Sequence, residues 1–466
     1  MVTTLDWTQI ATAAADRLDG AEVELTGFMA PAEPDETHGY FLLLAEPVCC
    51  IGCWPKDPLA VVEVFAALPL PAEGRAVRLA GRWRRLVDDP TGWRYQLNDA
   101  RLIAVEAVPL TMTRRGLLAA GAALGLAACA PAPTLPAPPP AAARWKPGST
   151  LTADLHSHAG RLILPRDGRE RPFTPVAAPM RTGGMALVCL AVVADTPATH
   201  VENGRIHAWR TPNAGELYGW SQRSFSRAHE LVAAQGLAIV TDSASLDAAG
   251  PQRPSVVIAA EGADFLEGET DRVDEAYERH QLRHLQLTHY RVNELGDIQT
   301  EASVHGGLTE FGVAVVKRCN ARGLVVDVAH GTYDLVKRAA EVSTKPLVLS
   351  HTSLATEPAP FSRRIAPDHA RIIAGTGGVI GIWPPMGLFP DMAALAHGMA
   401  RMVDVVGIDH VGLGTDMLGL LSPAVFANYD QLPDLAQALA EAGFQRDEIG
   451  KLLGGNYVRV FRASMV

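Results

Sequence analysis

Residues 154–158 read Asp-Leu-His-Ser-His, and five further histidines or carboxylates downstream each close an apolar run. Alternate side chains of a strand share a face, so Asp154, His156 and His158 would line one wall. Glu261 closes "SVVIAAE", His289 "LRHLQLTH", His330 "GLVVDVAH", His351 "PLVLSH" and Asp416 "HVGLGTD". A lone histidine at a strand end is most often a hydrogen-bonded structural residue, but so many in one stretch point to a shared task. Imidazole and carboxylate donors suit zinc, and four histidines with one carboxylate suffice for two ions that share the glutamate. Two such ions would acidify a water at neutral pH and polarise a carbonyl while a nearby carboxylate shuttles protons, which is the chemistry of amide hydrolysis.

His156 and Asp416 lie 260 positions apart, so these side chains meet only if their strands share one end. From residue 151 the chain carries nine apolar runs, from "LTADLHSH" through "GMALVCLAVVAD" and "LAIVTD" to "HVGLGTDM". Helical stretches such as "FGVAVVKRCNARG" and "YDLVKRAAEVS" lie between them. Buried parallel strands alternating with amphipathic helices predict an α/β fold, and at this length a TIM-like (β/α)8 barrel with its site at the C-terminal mouth. One of the nine runs is then an extra or edge strand.

The rest of the chain is of different character. Residues 1–108 open on the helical stretch "LDWTQIATAAADRL" and continue as short strand-like runs, predicting a small β-rich domain, an OB-like barrel or a sandwich. "CCIGCW" spaces Cys50 and Cys53 as a redox pair or half a metal site, but no second Cys/His pair stands near, and the thiols read as packing residues. No activity is assigned to this domain. Residues 112–129, "MTRRGLLAAGAALGLAAC", resemble a bacterial twin-arginine export signal joined to a lipoprotein box, with Cys129 as the lipidated residue. Met112 would then be the start and residues 1–111 a mis-joined upstream frame, or the chain is a fusion with an internal anchor. A Pro/Ala-rich tether, 130–147, leads into 148–466, which places the barrel on the periplasmic face of a bacterial envelope. The 466 residues are 48% hydrophobic, enough for a large core in two or three domains. A net charge of −10 without a Lys/Arg run excludes nucleic acid as the expected partner. Six cysteines so unevenly placed make no disulfide framework, and Cys189 and Cys319 read as packing thiols.

Residues 151–466 resemble the renal (membrane) dipeptidase family, zinc metallopeptidases related to the amidohydrolase barrels. The resemblance rests on "DLHSH", "EGADF", "LTHYRVNELGD", "GLTEFGVAVVKRCNARGLVVDVAH", "LSHTS", "SRRIAPDH", "VGIDHVGLGTD" and "GGNYVRVF". It implies that His156 and residue 158 hold one zinc, His330 and His351 the other, and that Glu261 bridges them. It further implies that a metal-bridging hydroxide attacks the amide while His289 stabilises the oxyanion. Asp416 would carry the proton from the water to the leaving amine, and Arg364, the second arginine of "SRR", would receive the substrate carboxylate. The implied cofactors are two zinc ions per chain, with manganese or cobalt as substitutes, and the family's habit implies a homodimer.

Two departures bear on substrate. The family's His-x-Asp is here His156-Ser-His158, which removes a negative charge from the centre. Its Asp-Phe-Asp-Gly is here Asp416-Met-Leu-Gly, which removes the second carboxylate and weakens recognition of a substrate ammonium. The expected activity is cleavage of dipeptides or similar short amides. N-acyl amino acids, lactams or esters form the alternative, and a non-catalytic ligand-binding lipoprotein stands outside catalysis. His200, His207, His229, His280, His284, His305, His369 and His397 read as structural residues in loops or helices without partners, and His410 as a turn or supporting residue. Asp154 is expected to orient a ligand histidine; Asp327 and Asp404 carry no assigned role.

Overall fold

The computed structural model describes residues 2–31, 37–47, 57–71, 76–86, 93–105, 150–165, 171–202, 205–355 and 360–465. The export-signal-like segment 112–129, the tether 130–147 and Cys49, Cys50, Cys53 and Cys129 lie outside the described residues. The chain forms two compact units, one within the first 145 residues and one centred on Lys146–Val466.

The first unit holds strands β1 (Thr3–Leu5), β2 (Glu22–Pro31), β3 (Thr37–Leu44), β4 (Val61–Pro71), β5 (Ala76–Arg85) and β6 (Tyr95–Val105). The pairings β2–β3, β3–β4, β4–β6, β6–β5 and β5–β2 close a five-stranded barrel, antiparallel except at β4–β6. This is the OB-like alternative, not the sandwich. Alternate residues such as Val23 and Leu25, Val62 and Val64, Val77 and Leu79 fill its interior around Phe41 and Trp83. The stretch read as one helix divides. Asp6 caps Trp7–Ala11 by accepting from the Gln9 amide, then Thr12 turns extended (φ −110°, ψ 141°) and a 3-10 segment follows at Ala13–Leu18. Strand β4 was not among the runs expected.

The second unit begins with β7 (Ala153–Ser157) and β8 (Leu187–Val193), followed by a hairpin of β9 (Thr199–Glu202) and β10 (Arg205–Ala208). Then come β11 (Ala238–Ile239), β12 (Ser255–Glu261), β13 (Leu282–Gln286) and β14 (Val325–Asp327). The set ends with β15 (Val348–Thr352), β16 (Val379–Ile382) and β17 (Val411–Leu413). Strands β7, β8 and β12 to β17 pair in parallel and close an eight-stranded barrel with helices between them. The ninth run, "LAIVTD", supplies β11, which pairs with the start of β12 outside the ring. Every residue of β8 and β12 is buried, as parallel strands covered on both faces must be. Cys189 and Cys319 are buried free thiols; burial pushes Cys189 well up and Cys319 up to about 12, which suits packing residues. A Cβ at Gly381 or Gly414 would run into the Ser350 carbonyl oxygen, so strands β15 to β17 approach only with bare backbone there. Among the described residues no helix is long and apolar enough to cross a membrane.

Candidate metal centre

The ends of these strands bring the expected ligands to one point. Glu261 closes β12 and lies buried at the centre. Its Oε1 stands 3.4 Å from His156 Nε2, 3.3 Å from His330 Nε2 and 3.5 Å from His351 Nε2. Its Oε2 stands 3.1 Å from His158 Nε2 and 3.4 Å from His289 Nε2. Within the histidines, His156 and His158 face each other at 3.2 Å and His330 and His351 at 3.0 Å, Nε2 to Nε2. Asp416 Oδ1 lies 3.4 Å from His158 Nε2.

Backbone and neighbouring side chains hold the outer nitrogen of four of the five rings, while His330 Nδ1 is buried without a hydrogen-bond partner. The Ala191 carbonyl, 2.7 Å from His158 Nδ1, can only accept, so Nδ1 carries the proton and Nε2 faces Glu261. Ser350 Oγ sits 2.9 Å from His351 Nδ1 and 3.4 Å from His156 Nδ1. Asp195, just beyond β8, accepts from His289 Nδ1 at 2.7 Å and from the Tyr290 amide at 3.0 Å. Asp154 does not orient a ligand ring as expected. Its carboxylate accepts from the Thr415 amide (2.9 Å), Thr415 Oγ1 (2.6 Å), Tyr429 OH (2.9 Å) and the His156 amide (3.2 Å). It therefore clasps β7 to the corner that carries Asp416, whose amide donates to the His156 carbonyl at 3.0 Å.

The donor set fits metal ions. Two imidazole nitrogens 3.0 Å apart can share one proton at most, and five around one carboxylate leave lone pair facing lone pair. Cations resolve that conflict. Three groups of donor atoms lie mutually within 4.8 Å: His156, Glu261 and His351; His156, His158 and Asp416; Glu261, His289 and His330. Glu261 and His156 each take part in two of the three.

The electrostatics divide the histidines. Burial lowers His330 and His351 well below the usual imidazole range, helped by Arg363 beside the first and by His156 beside the second. Burial acts on His158 in the same sense, but its hydrogen bonds to Asp416 and Glu261 outweigh it and raise the ring to about 10. Glu261, though burial opposes ionisation, is held well below the carboxylate range by His289 and His156.

Several residues at the site were not foreseen. Asp195 is one; its partner is 94 positions away. Arg363 is another, and it is buried. It donates to Gln299 Oε1 (2.8 Å) and the His351 carbonyl (3.3 Å), and packs its guanidinium 5.4 Å from the Trp383 ring. Its Nε has no hydrogen-bond partner, and no ion pair forms between it and any described carboxylate. The expected Arg364 is half-buried, its Nε also without a partner, and it makes no hydrogen bond to the cluster among the described residues. His284 and Asp327, given no role, form a buried pair at 3.1 Å inside the barrel, with Tyr457 OH 3.0 Å from His284 Nδ1. Asp327 Oδ1 accepts from the Ser350 amide at 3.1 Å and so steadies the strand bearing His351. His207 and His280 are not without partners either, bonding to Glu301 and Gln222.

Comparison with known proteins places this geometry in context. The model of the membrane dipeptidase family, peptidase family M19, matches residues 190–465, more than half of the chain. A dipeptidase of Aspergillus oryzae is 29% identical over 223 residues, 45% of this chain and 51% of that protein. Dipeptidase 3 of Mus musculus is 28% identical over 237 residues, 48% of this chain and 47% of its own. The chain thus spans about half the length of these curated relatives. Among solved structures, a metallopeptidase of Rhodobacter sphaeroides, liganded with a phosphinate mimic of the dipeptide L-Ala-D-Ala, has a TM-score of 0.56 at 20% identity, over 68% of this chain and 99% of that one. A probable dipeptidase of Pseudomonas aeruginosa has a TM-score of 0.55 at 16% identity, over 68% and 95%. At such identities the likeness is one of fold.

Proposed function

Because the chain belongs to the membrane dipeptidase family, we propose that it is a binuclear zinc hydrolase that cleaves the amide bond of dipeptides or similar short substrates. The observation that carries this reading is the convergence of five imidazole nitrogens on the two oxygens of Glu261. His156 and His158 would hold one ion, His330 and His351 the other, and Glu261 would join both. When bound, the zinc ions supply an acidified water and polarise the scissile carbonyl. Manganese or cobalt would serve as substitutes.

The chain's own residues do the rest. His289, its Nδ1 proton held by Asp195, presents Nε2 where negative charge develops on the carbonyl oxygen. Asp416, 3.4 Å from His158 Nε2, takes the proton of the attacking water and returns it to the departing amine. Arg364 is assigned the substrate carboxylate, and the buried Arg363 beside His351 adds positive charge at that end. We carry forward, as parts of the same proposal, a lipid anchor at Cys129, an envelope location and a homodimer.

Metal analysis of the purified chain and assay against a dipeptide library test the reading. Two zinc ions per chain and cleavage of at least one dipeptide are expected, both lost in Glu261→Gln. Less than one ion per chain, with no activity after zinc or manganese is added, would return the chain to the non-catalytic lipoprotein reading.

A further inference from the structure

The large exposed apolar side chains described in the barrel unit are Trp209, Val304, Tyr333, Phe361 and Leu418. Each lies in a segment that leaves the C-terminal end of a barrel strand: β8, β13, β14, β15 and β17 in turn. They therefore border the mouth that holds the metal centre, where exposed apolar surface marks a contact with something else.

Leu418 follows Asp416 by two residues, in a turn beside the cluster. The Gly419 amide donates to the Asp416 carbonyl at 3.0 Å, closing a turn whose third residue is Leu418 at φ +62°. Glycine or asparagine normally occupies such a position. Leu418 is 41% exposed and holds a left-handed backbone that leucine rarely takes, and such backbone departures gather at functional sites. The turn lies directly on the centre, because a Cβ at Gly419 would overlap the Asp416 carboxylate and the His158 ring.

The centre also has a direction. Arg363 donates to the His351 carbonyl and stands at the His330/His351 side. Asp416 and the Leu418 turn stand at the His156/His158 side. A substrate carboxylate drawn to the arginine side leaves its acyl end beside Leu418. Among the described residues, an ammonium there would find Asp416, already facing His158. Asp195 is bound to His289 and Tyr290, Asp297 to Ser303 and to backbone amides, and Glu301 to His207.

We propose that Leu418 is a specificity-determining residue that selects amides whose acyl end is apolar and uncharged, so that N-acyl amino acids are preferred to free dipeptides. The inference rests on the hydrolase reading above. An apolar acyl chain gains by covering Leu418, whereas a charged amine loses hydration there and, among the described residues, meets only Asp416, already engaged at His158.

The test compares Leu-Ala with 4-methylpentanoyl-alanine, which differs only in lacking the ammonium, each with L- and D-alanine, on the zinc-loaded full chain. The wild type is expected to favour the desamino substrate at least tenfold in kcat/KM. Leu418→Asp, a residue that tolerates the left-handed turn, should shift that ratio at least tenfold toward Leu-Ala at unchanged zinc content. Leu418→Ala should lower kcat/KM for the desamino substrate alone. Faster cleavage of Leu-Ala by the wild type, or an unmoved ratio in Leu418→Asp, overturns the inference and leaves the hydrolase standing. If the zinc-loaded wild type cleaves neither, the hydrolase reading falls and takes this inference with it.

Discussion

The Nδ1 atoms of His156, His158, His289 and His351 are each held by an atom outside the cluster, and removing such an atom tests the arrangement without touching a ligand. Asp195 holds His289 at 2.7 Å, so Asp195→Asn keeps the shape but lets the ring take the wrong tautomer. We expect kcat to fall roughly 10- to 100-fold with KM little changed, read by steady-state kinetics on enzyme of verified zinc content. His158 gives a pH prediction. Its apo pKa of about 10 stands above the ordinary imidazole value of 6.5. Proton binding therefore stabilises the folded apo protein fully below the lower value, and that stability is lost as pH rises through the upper one. Zinc requires the neutral ring, so uptake at His158 expels a proton across this window. Zinc affinity should rise by about tenfold per pH unit for that proton, measured by competition with a chelator of known pH dependence. The ligands themselves were legible because each ends an apolar run. Asp195 was not, because its meaning depends on a partner 94 residues away, and Arg363 was not, because nothing in "SRR" tells which of two adjacent arginines is buried beside His351.

The secondary-structure elements explain why those run ends coincide. The barrel strands are short and buried on both faces, so they appear in sequence as continuous β-branched runs, and all nine expected runs became strands. The surplus run became β11 because its two paired residues reach only the start of β12, while β12 already closes the ring against β8. Strand β4 gave a weaker signal because alanine pairs and proline interrupt its later half, "FAALPLP". The helix expected over residues 5–18 failed at Thr12, whose extended backbone ends it after one turn. Legibility ended at tight approach between strands. Gly381 and Gly414 both face the Ser350 carbonyl, and Ser350 in turn touches the rings of His351 and His156. Either glycine to alanine should cost about 1–3 kcal/mol in chemical denaturation, since backbone and not a flexible side chain must move. Zinc content should fall with it, as the strain reaches His351 first.

On the scale of the whole chain, two units with separate cores raise the question of whether either needs the other. The five-stranded barrel of the first unit buries Phe41, Trp83 and Leu97 among its own strands. The second unit buries Leu155, Val257 and Phe461 among its own. Every residue given a part in metal binding, proton transfer or substrate selection lies between His156 and Leu418, in the second unit alone. Residues 146–466 expressed by themselves should therefore fold, bind zinc as the full chain does and keep kcat/KM to within about twofold. Calorimetry of the full chain should show two transitions, the barrel's within about 3 °C of its value in isolation. A barrel that loses zinc or unfolds several degrees earlier on its own would show that the first unit serves to hold the second together.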